Sequence, residues 1–191
     1  MAVSSHRREV LLSAALTVIA RDGPAASMEA MAAEAGITKP ILYRHFGDRD
    51  GLIAAVANRF ADELVVRLSQ ALDRPGSPRQ RIEAAVRSYL EFIEEDPELY
   101  GFLTQRAHVS CVVESGVIER LAAVLESAIA ETLDAAGVDA RPAETWAYGV
   151  VGMMHLAGAH WVSTVGKPRE PLVADLVSLV TDGLLGASRL S

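Results

Sequence analysis

Residues 27–46 read Ser-Met-Glu-Ala-Met-Ala-Ala-Glu-Ala-Gly-Ile-Thr-Lys-Pro-Ile-Leu-Tyr-Arg-His-Phe. Ser27 stands as an N-cap before a short run, 28–35, that stops at Gly36. Thr38 holds the same place for a second run, 39–46, with Pro40 in its first turn, where a proline is tolerated. Gly47 breaks that run. Two short helices joined through Gly36-Ile37 read as a helix-turn-helix, a motif whose turn often contains glycine. The second helix is slim enough for a major groove about 12 Å wide. Thr38, Lys39, Tyr43, Arg44 and His45 can all donate hydrogen bonds, while Ile37, Ile41, Leu42 and Phe46 can anchor the helix to its neighbours. The amide ends at Ser27, Thr38 and Asp48 are candidate phosphate seats.

Working outward, a first helix is expected over about residues 7–22, with Leu11, Ala15, Val18 and Ile19 on one face and Gly23-Pro24 as its stop. Asp48 caps a longer helix reaching about Leu72, whose Leu52, Val56, Phe60 and Leu64 form an i, i+4 series. Residues 74–78, Arg-Pro-Gly-Ser-Pro, are the clearest loop. Five further helical segments follow: 79–95, one opened by Asp96-Pro97-Glu98, 116–136, one from Pro142 to about 165, and one from Pro171 to about 185. No hairpin signal stands out, and aromatic residues make up only 5% of the chain. The expected fold class is all-α: an N-terminal three-helix helix-turn-helix head on a C-terminal helical body, about nine helices in all.

The 191 residues can bury a sizeable core. Half are apolar and 23% charged, which argues against long disordered tracts. The net charge of −7 is uneven. Residues 1–60 hold seven Lys/Arg and six Asp/Glu; the rest hold eleven and nineteen. An acidic body with a non-acidic N-terminal module can dock that one end on DNA. The single cysteine, Cys111, excludes an internal disulfide framework and reads as a small buried apolar residue. His6-Arg7-Arg8 before the apolar run 10–20 has the look of a signal peptide, but Glu9 and the lack of a small-x-small site after Asp22 read against it. Nothing reaches the length of a membrane span. The expectation is a cytoplasmic protein with no membrane partner. His155 and His160 are five apart, about 140° around a helix, so they share no face. No paired-Cys or HExxH metal spacing, no GxSxG and no Walker-type loop is present. The sequence therefore gives no sign of an enzyme, a metal site or a cofactor.

Residues 11–53 resemble the N-terminal domain of the TetR family of transcriptional regulators. The likeness runs through Leu11–Leu16, Gly23, Ser27–Ala32, Ala35–Lys39, Leu42–Phe46 and Arg49-Asp50-Gly51-Leu52, with no gap. Ile19 stands where an aromatic residue is common, and Met31 where isoleucine is usual; both read as core exchanges. The resemblance implies DNA contacts at Ser27, Thr38, Lys39, Tyr43, His45 and Arg49. It divides the chain into a DNA-binding domain, 1–50, and an effector-binding and dimerisation domain, 51–191. It also implies a homodimer formed by the last two helices of each subunit. Leu172, Leu176, Leu179, Val180 and Leu184 supply a broad apolar stripe for that role.

Within the body, residues 89–100 and the run 149–154 with Trp161 resemble members that respond to fatty acids or acyl-CoA. An acyl chain needs a long apolar pocket with few polar groups. Candidate lining residues are Phe92, Phe102, Leu103, Ile118, Leu121, Trp146, Val150 and Met153, with Arg106 and His108 to meet a carboxylate or phosphate. The function implied is a repressor that binds a palindromic double-stranded operator as a dimer and is released by a small apolar effector. The alternatives are a helical lipid carrier with no DNA role and an exported helical protein.

Overall fold

A computed structural model describes residues 2–104, 116–164 and 166–186, the side chains of 2–5 and 184–186 excepted. Among the described residues every regular element is helical. These residues form nine α-helices: α1 (Ala2–Asp22), α2 (Met28–Glu34), α3 (Lys39–Phe46), α4 (Arg49–Leu72), α5 (Pro78–Glu95), α6 (Pro97–Leu103), α7 (Val117–Ala135), α8 (Ala143–Val162) and α9 (Arg169–Gly186). A 3-10 turn, Gly23–Ala25, follows α1. None of these helices is long and apolar enough to cross a membrane.

The elements fall close to where caps and periodicity place them, with two differences. The first helix begins at Ala2 rather than near residue 7. The last begins at Arg169, so Pro171 lies inside its first turn, where its missing N–H has no helical partner to lose.

The helices gather into two compact units: Met1–Ala61 with Asp96–Val117, and Asp62–Glu95 with Ile118–Ser191. In the first, α1 contributes Leu11, Ala15, Val18 and Ile19, each at most 1% exposed. The apolar run that resembles a signal peptide thus supplies a buried helix face, with Val10, Ser13, Thr17 and Ala20 left exposed. Met31, Leu42, Leu52, Ile53 and Val56 complete this core. Each fully buried leucine or isoleucine is worth about 1.5–3 kcal/mol relative to exposure. The short helix α6 belongs here too. Asp96 caps it, accepting from the Leu99 N–H at 2.9 Å. It packs on α1 and the 3-10 turn, and its Tyr100 ring lies 6.1 Å from that of Phe60.

In the second unit α5 packs on α9 and α8. Gly158 of α8 permits close approach: a Cβ there would lie 2.7 Å from the Tyr89 hydroxyl and 2.9 Å from Ile93 Cδ1. Ion pairs knit the surface. Arg87 reaches Glu170 at 2.6 Å and Arg169 reaches Glu94 at 2.5 Å, tying α5 to the start of α9. Arg67 of α4 pairs with Glu63 and Glu95, which raises its pKa further.

Candidate nucleic-acid interface

The turn between α2 and α3 is built by Gly36. Its φ of +65° is a left-handed conformation that other L-residues adopt only at a cost. That conformation lets the Ile37 N–H donate to the Ala32 carbonyl and the Gly36 N–H to the Ala33 carbonyl, both at 3.0 Å. This double bond pattern is a Schellman stop. Ser27 begins α2 as expected: its Oγ accepts from the Ala30 N–H at 3.2 Å. Thr38 occupies the cap position of α3 with extended backbone, but its hydroxyl makes no cap bond, contrary to the sequence expectation. The first turn of α3 has less to cap, because Pro40 lacks an N–H and the Ile41 N–H returns to the Thr38 carbonyl at 2.9 Å.

At 100° per residue, the buried side of α3 is set by Leu42, 0% exposed, and Phe46, 8% exposed. The Arg8 guanidinium lies over the Phe46 ring, 4.8 Å from its centroid. The opposite side carries Pro40 and Arg44, both exposed. Lys39 and Tyr43 form one flank and Ile41 and His45 the other, all half-buried. The six residues expected at DNA are therefore not one patch. Lys39 and Tyr43 sit together, with the ammonium 5.7 Å from the ring centroid. His45 lies on the far flank. Arg49 is exposed as the first residue of α4. Ser27 and Thr38 mark the starts of α2 and α3.

Two residues outside the expected set bear on this face. Arg44 stands at its crown, and among the described residues it enters no ion pair. Its position was legible from the helical period, since it is two residues beyond the buried Leu42. Glu29 of α2 accepts a hydrogen bond from the Lys39 ammonium. That bond raises the lysine pKa and lowers the carboxyl below its ordinary value. Nothing in the sequence marks this pair, which spans the turn.

The head is locked at its far end by α4. Asp48 Oδ1 accepts from the Gly51 N–H at 2.7 Å, the cap the sequence predicts. A phosphate at that helix start would share it with the Asp48 carboxylate. Gly51 itself is required by proximity: a Cβ there would collide with the Phe46 carbonyl oxygen.

The body residues expected to line a pocket are spread over both units. Phe102 and Leu103 are buried in the first, at 2% and 6% exposure. Phe92 is buried in the second, with the Arg67 guanidinium 4.7 Å from its ring centroid. Ile118 and Leu121 of α7 are half-buried, as are Trp146, Val150 and Met153 on one face of α8. Arg106, His108 and Cys111 lie outside the described residues. Among the described residues no three His, Cys, Asp or Glu side chains gather as a metal site.

Comparison with known proteins agrees with this architecture. Residues 11–56 match the family described as bacterial regulatory proteins, tetR family. Residues 67–189 match the tetracyclin repressor-like C-terminal domain. The chain is 31% identical over 186 residues to an HTH-type transcriptional regulator of Mycobacterium tuberculosis, covering 95% of this chain and 78% of that protein. It is 30% identical over 162 residues to the HTH-type transcriptional activator FasR of Mycolicibacterium smegmatis, covering 83% and 73%. A TetR-like regulator from Rhodococcus sp. RHA1 superposes with a TM-score of 0.66 at 26% identity, over 94% of this chain and 96% of that one. FadR from Bacillus subtilis, solved in complex with stearoyl-CoA, shares the fold with a TM-score of 0.70 at 16% identity, over 92% and 98%. With both its head and its body matched, the chain belongs to the tetR family of DNA-binding, helix-turn-helix transcriptional regulators.

Proposed function

We propose that the chain is a homodimeric repressor that reads a palindromic operator with α3 and is released from it by a fatty acid or acyl-CoA. The observation that carries the reading is the outward face of α3. Arg44 stands opposite the buried Leu42 and Phe46, and Lys39 and Tyr43 form the flank beside it. In this reading residues 1–50 form the DNA-binding domain, and Ser27, Thr38, His45 and Arg49 add contacts at its margins. Residues 51–191 bind the effector and dimerise, and the protein works in the cytoplasm beside its DNA.

Dimerisation is supported by an apolar face that the single chain leaves in solvent. Tyr148 and Leu156 of α8 are 44% and 71% exposed, with Gly149 and Gly152 between them, and Leu179 of α9 is 57% exposed. A twofold pair of heads would meet half-sites one helical turn apart. An apolar effector is supported by the half-buried apolar faces of α7 and α8 and by the shared fold with a stearoyl-CoA complex. Control is then a population shift: the effector favours a conformation whose heads no longer fit both half-sites. A second reading, in which effector binding strengthens operator binding, is favoured by the activator name of the FasR relative.

The test is a gel mobility shift on the DNA upstream of the protein's own gene, with and without stearoyl-CoA. Retardation relieved by the ligand supports the repressor, and retardation strengthened by it supports the second reading. Ligand binding with no specific retardation of any genomic fragment would identify a lipid carrier.

A further inference from the structure

The face of α1 that carries the buried Leu11, Leu12, Ala15, Val18 and Ile19 does not stop at Leu11. One turn earlier, three and four residues back, the same face carries Arg7 and Arg8. Apolar side chains there would extend the core; two exposed cations stand there instead. Arg8 is held by α3. Its guanidinium lies over the ring of Phe46, the last residue of that helix, 4.8 Å from the centroid. A ring face attracts a cation without taking up its hydrogen-bond donors as a carboxylate does. Arg8 enters no ion pair and no hydrogen bond among the described residues. The carboxylates close to it in sequence or beside Phe46 are engaged elsewhere: Glu9 accepts from Arg59 at 3.2 Å, and Asp48 Oδ1 accepts from the Gly51 N–H at 2.7 Å. Other cations of this unit are neutralised, Arg21 by Asp22 and Lys39 by Glu29.

The place of Phe46 on α3 fixes what this cation can reach. Around the helix, Phe46 lies about 20° from Lys39 and about 60° from Tyr43, between the buried Leu42 and that flank. Along the helix, Lys39 opens α3 and Phe46 closes it, about 10 Å apart. Arg8 and Lys39 thus bracket one flank, a cation at each end. A recognition helix seated in the major groove has a phosphate backbone beside it. A cation at the closing end of α3, exposed and without a partner to give up, is placed to meet that backbone.

We propose that Arg8 is a second DNA anchor, supplied by α1: with α3 in the major groove, its guanidinium takes a backbone phosphate at the end of α3 away from Lys39. The planar fork of N–H groups matches two phosphate oxygens. Contact with the Phe46 ring holds the fork in place before DNA arrives, so less side-chain freedom is lost on binding. A phosphate contact carries no sequence information; its part is to set the seating of α3, while side chains of α3 read the bases. The inference adds α1 to the DNA surface assigned to α3 above and rests on that assignment.

Fluorescence anisotropy of the full chain on two labelled duplexes tests it, one from upstream of the protein's own gene and one of scrambled sequence, between about 50 and 200 mM salt. Arg8→Leu continues the apolar face of α1 and removes the charge. Its melting temperature is expected to hold or rise, while affinity falls by about three- to tenfold on both duplexes and the salt slope by about one per subunit. Arg8→Lys keeps the charge and is expected to keep the slope. Arg8→Gln, polar at an exposed position, serves in place of Arg8→Leu if that variant does not fold. Unchanged affinity and slope in Arg8→Leu overturn the anchor and leave Arg8 as a cover for Phe46. A loss of affinity with an unchanged slope also overturns it, because no phosphate contact has gone. Arg44→Ala separates this failure from that of the surface beneath it: if Arg44→Ala and Arg8→Leu both bind as wild type does, α3 is not the DNA face.

Discussion

The Lys39 ammonium donates a hydrogen bond to the Glu29 carboxylate, tying the first residue of α3 to the second residue of α2. In the free protein, then, a cation on the proposed DNA face is already engaged by an internal anion. Phosphate at Lys39 must share the ammonium with Glu29 and meet that carboxylate's charge. Replacing Lys39 with alanine is expected to weaken binding equally on operator and unrelated duplex and to lower the salt slope by about one. Glu29→Gln is expected to act the opposite way, tightening both by about two- to fivefold, because exposed pairs are weak. Lys39 holds the Glu29 carboxyl below its ordinary value, so the clamp persists above the usual carboxylate range and is lost only as pH falls through that lowered value. Gel shifts from about pH 6 to 8 therefore carry no inflection from this pair.

Arg44 occupies the crown of α3 with no ion pair to give up among the described residues. Arg44→Ala is expected to cost about 1–3 kcal/mol on the operator and much less on unrelated DNA. Equal loss on both duplexes would reduce Arg44 to a phosphate contact.

Gly51→Ala would press a methyl group into the Phe46 carbonyl, and backbone atoms cannot swing aside as a side chain can. Such overpacking costs about 1–3 kcal/mol. The expected result, read by circular dichroism and gel shift, is a lower melting temperature and lost operator binding. A melting temperature equal to wild type would contradict this geometry.

Leu156→Asp adds a charge to a side chain that is 71% exposed in the single chain, so helix content should be unchanged. If this face joins two copies, sedimentation will find a monomer and the gel shift on a palindromic site will fail. A dimer of undiminished affinity would place the interface elsewhere.

The head was legible because its signals are local. Ser27, Gly36, Gly47 and Asp48 each act within four residues of themselves, and the Leu52-Val56-Phe60-Leu64 series reports a buried face directly. Contacts between distant segments left no such trace. That α6 packs on α1 depends on residues some eighty positions apart. The bare hydroxyl of Thr38 follows from Pro40 reducing the demand for a cap. The meeting of Arg81 with Thr132, fifty-one residues on, is invisible to any pattern of period 3.6. The apolar face of α7 is clear from periodicity, yet only tertiary packing reveals that Ile118, Leu121, Leu125 and Ile129 remain half-covered.

The chain's two tryptophans, Trp146 and Trp161, both lie on α8. Trp146 is half-exposed, whereas the Trp161 indole is buried and donates to the Lys167 carbonyl at 3.0 Å. Tryptophan emission from this protein is consequently a report on a single helix, with one emitter in a wet setting and one in a dry one. Events that stay within α2 and α3 leave that emission unchanged, while anything that moves solvent at α8 shifts the spectrum without a dye. The molecule carries its own internal probe on the helix whose other face is expected to meet a second copy.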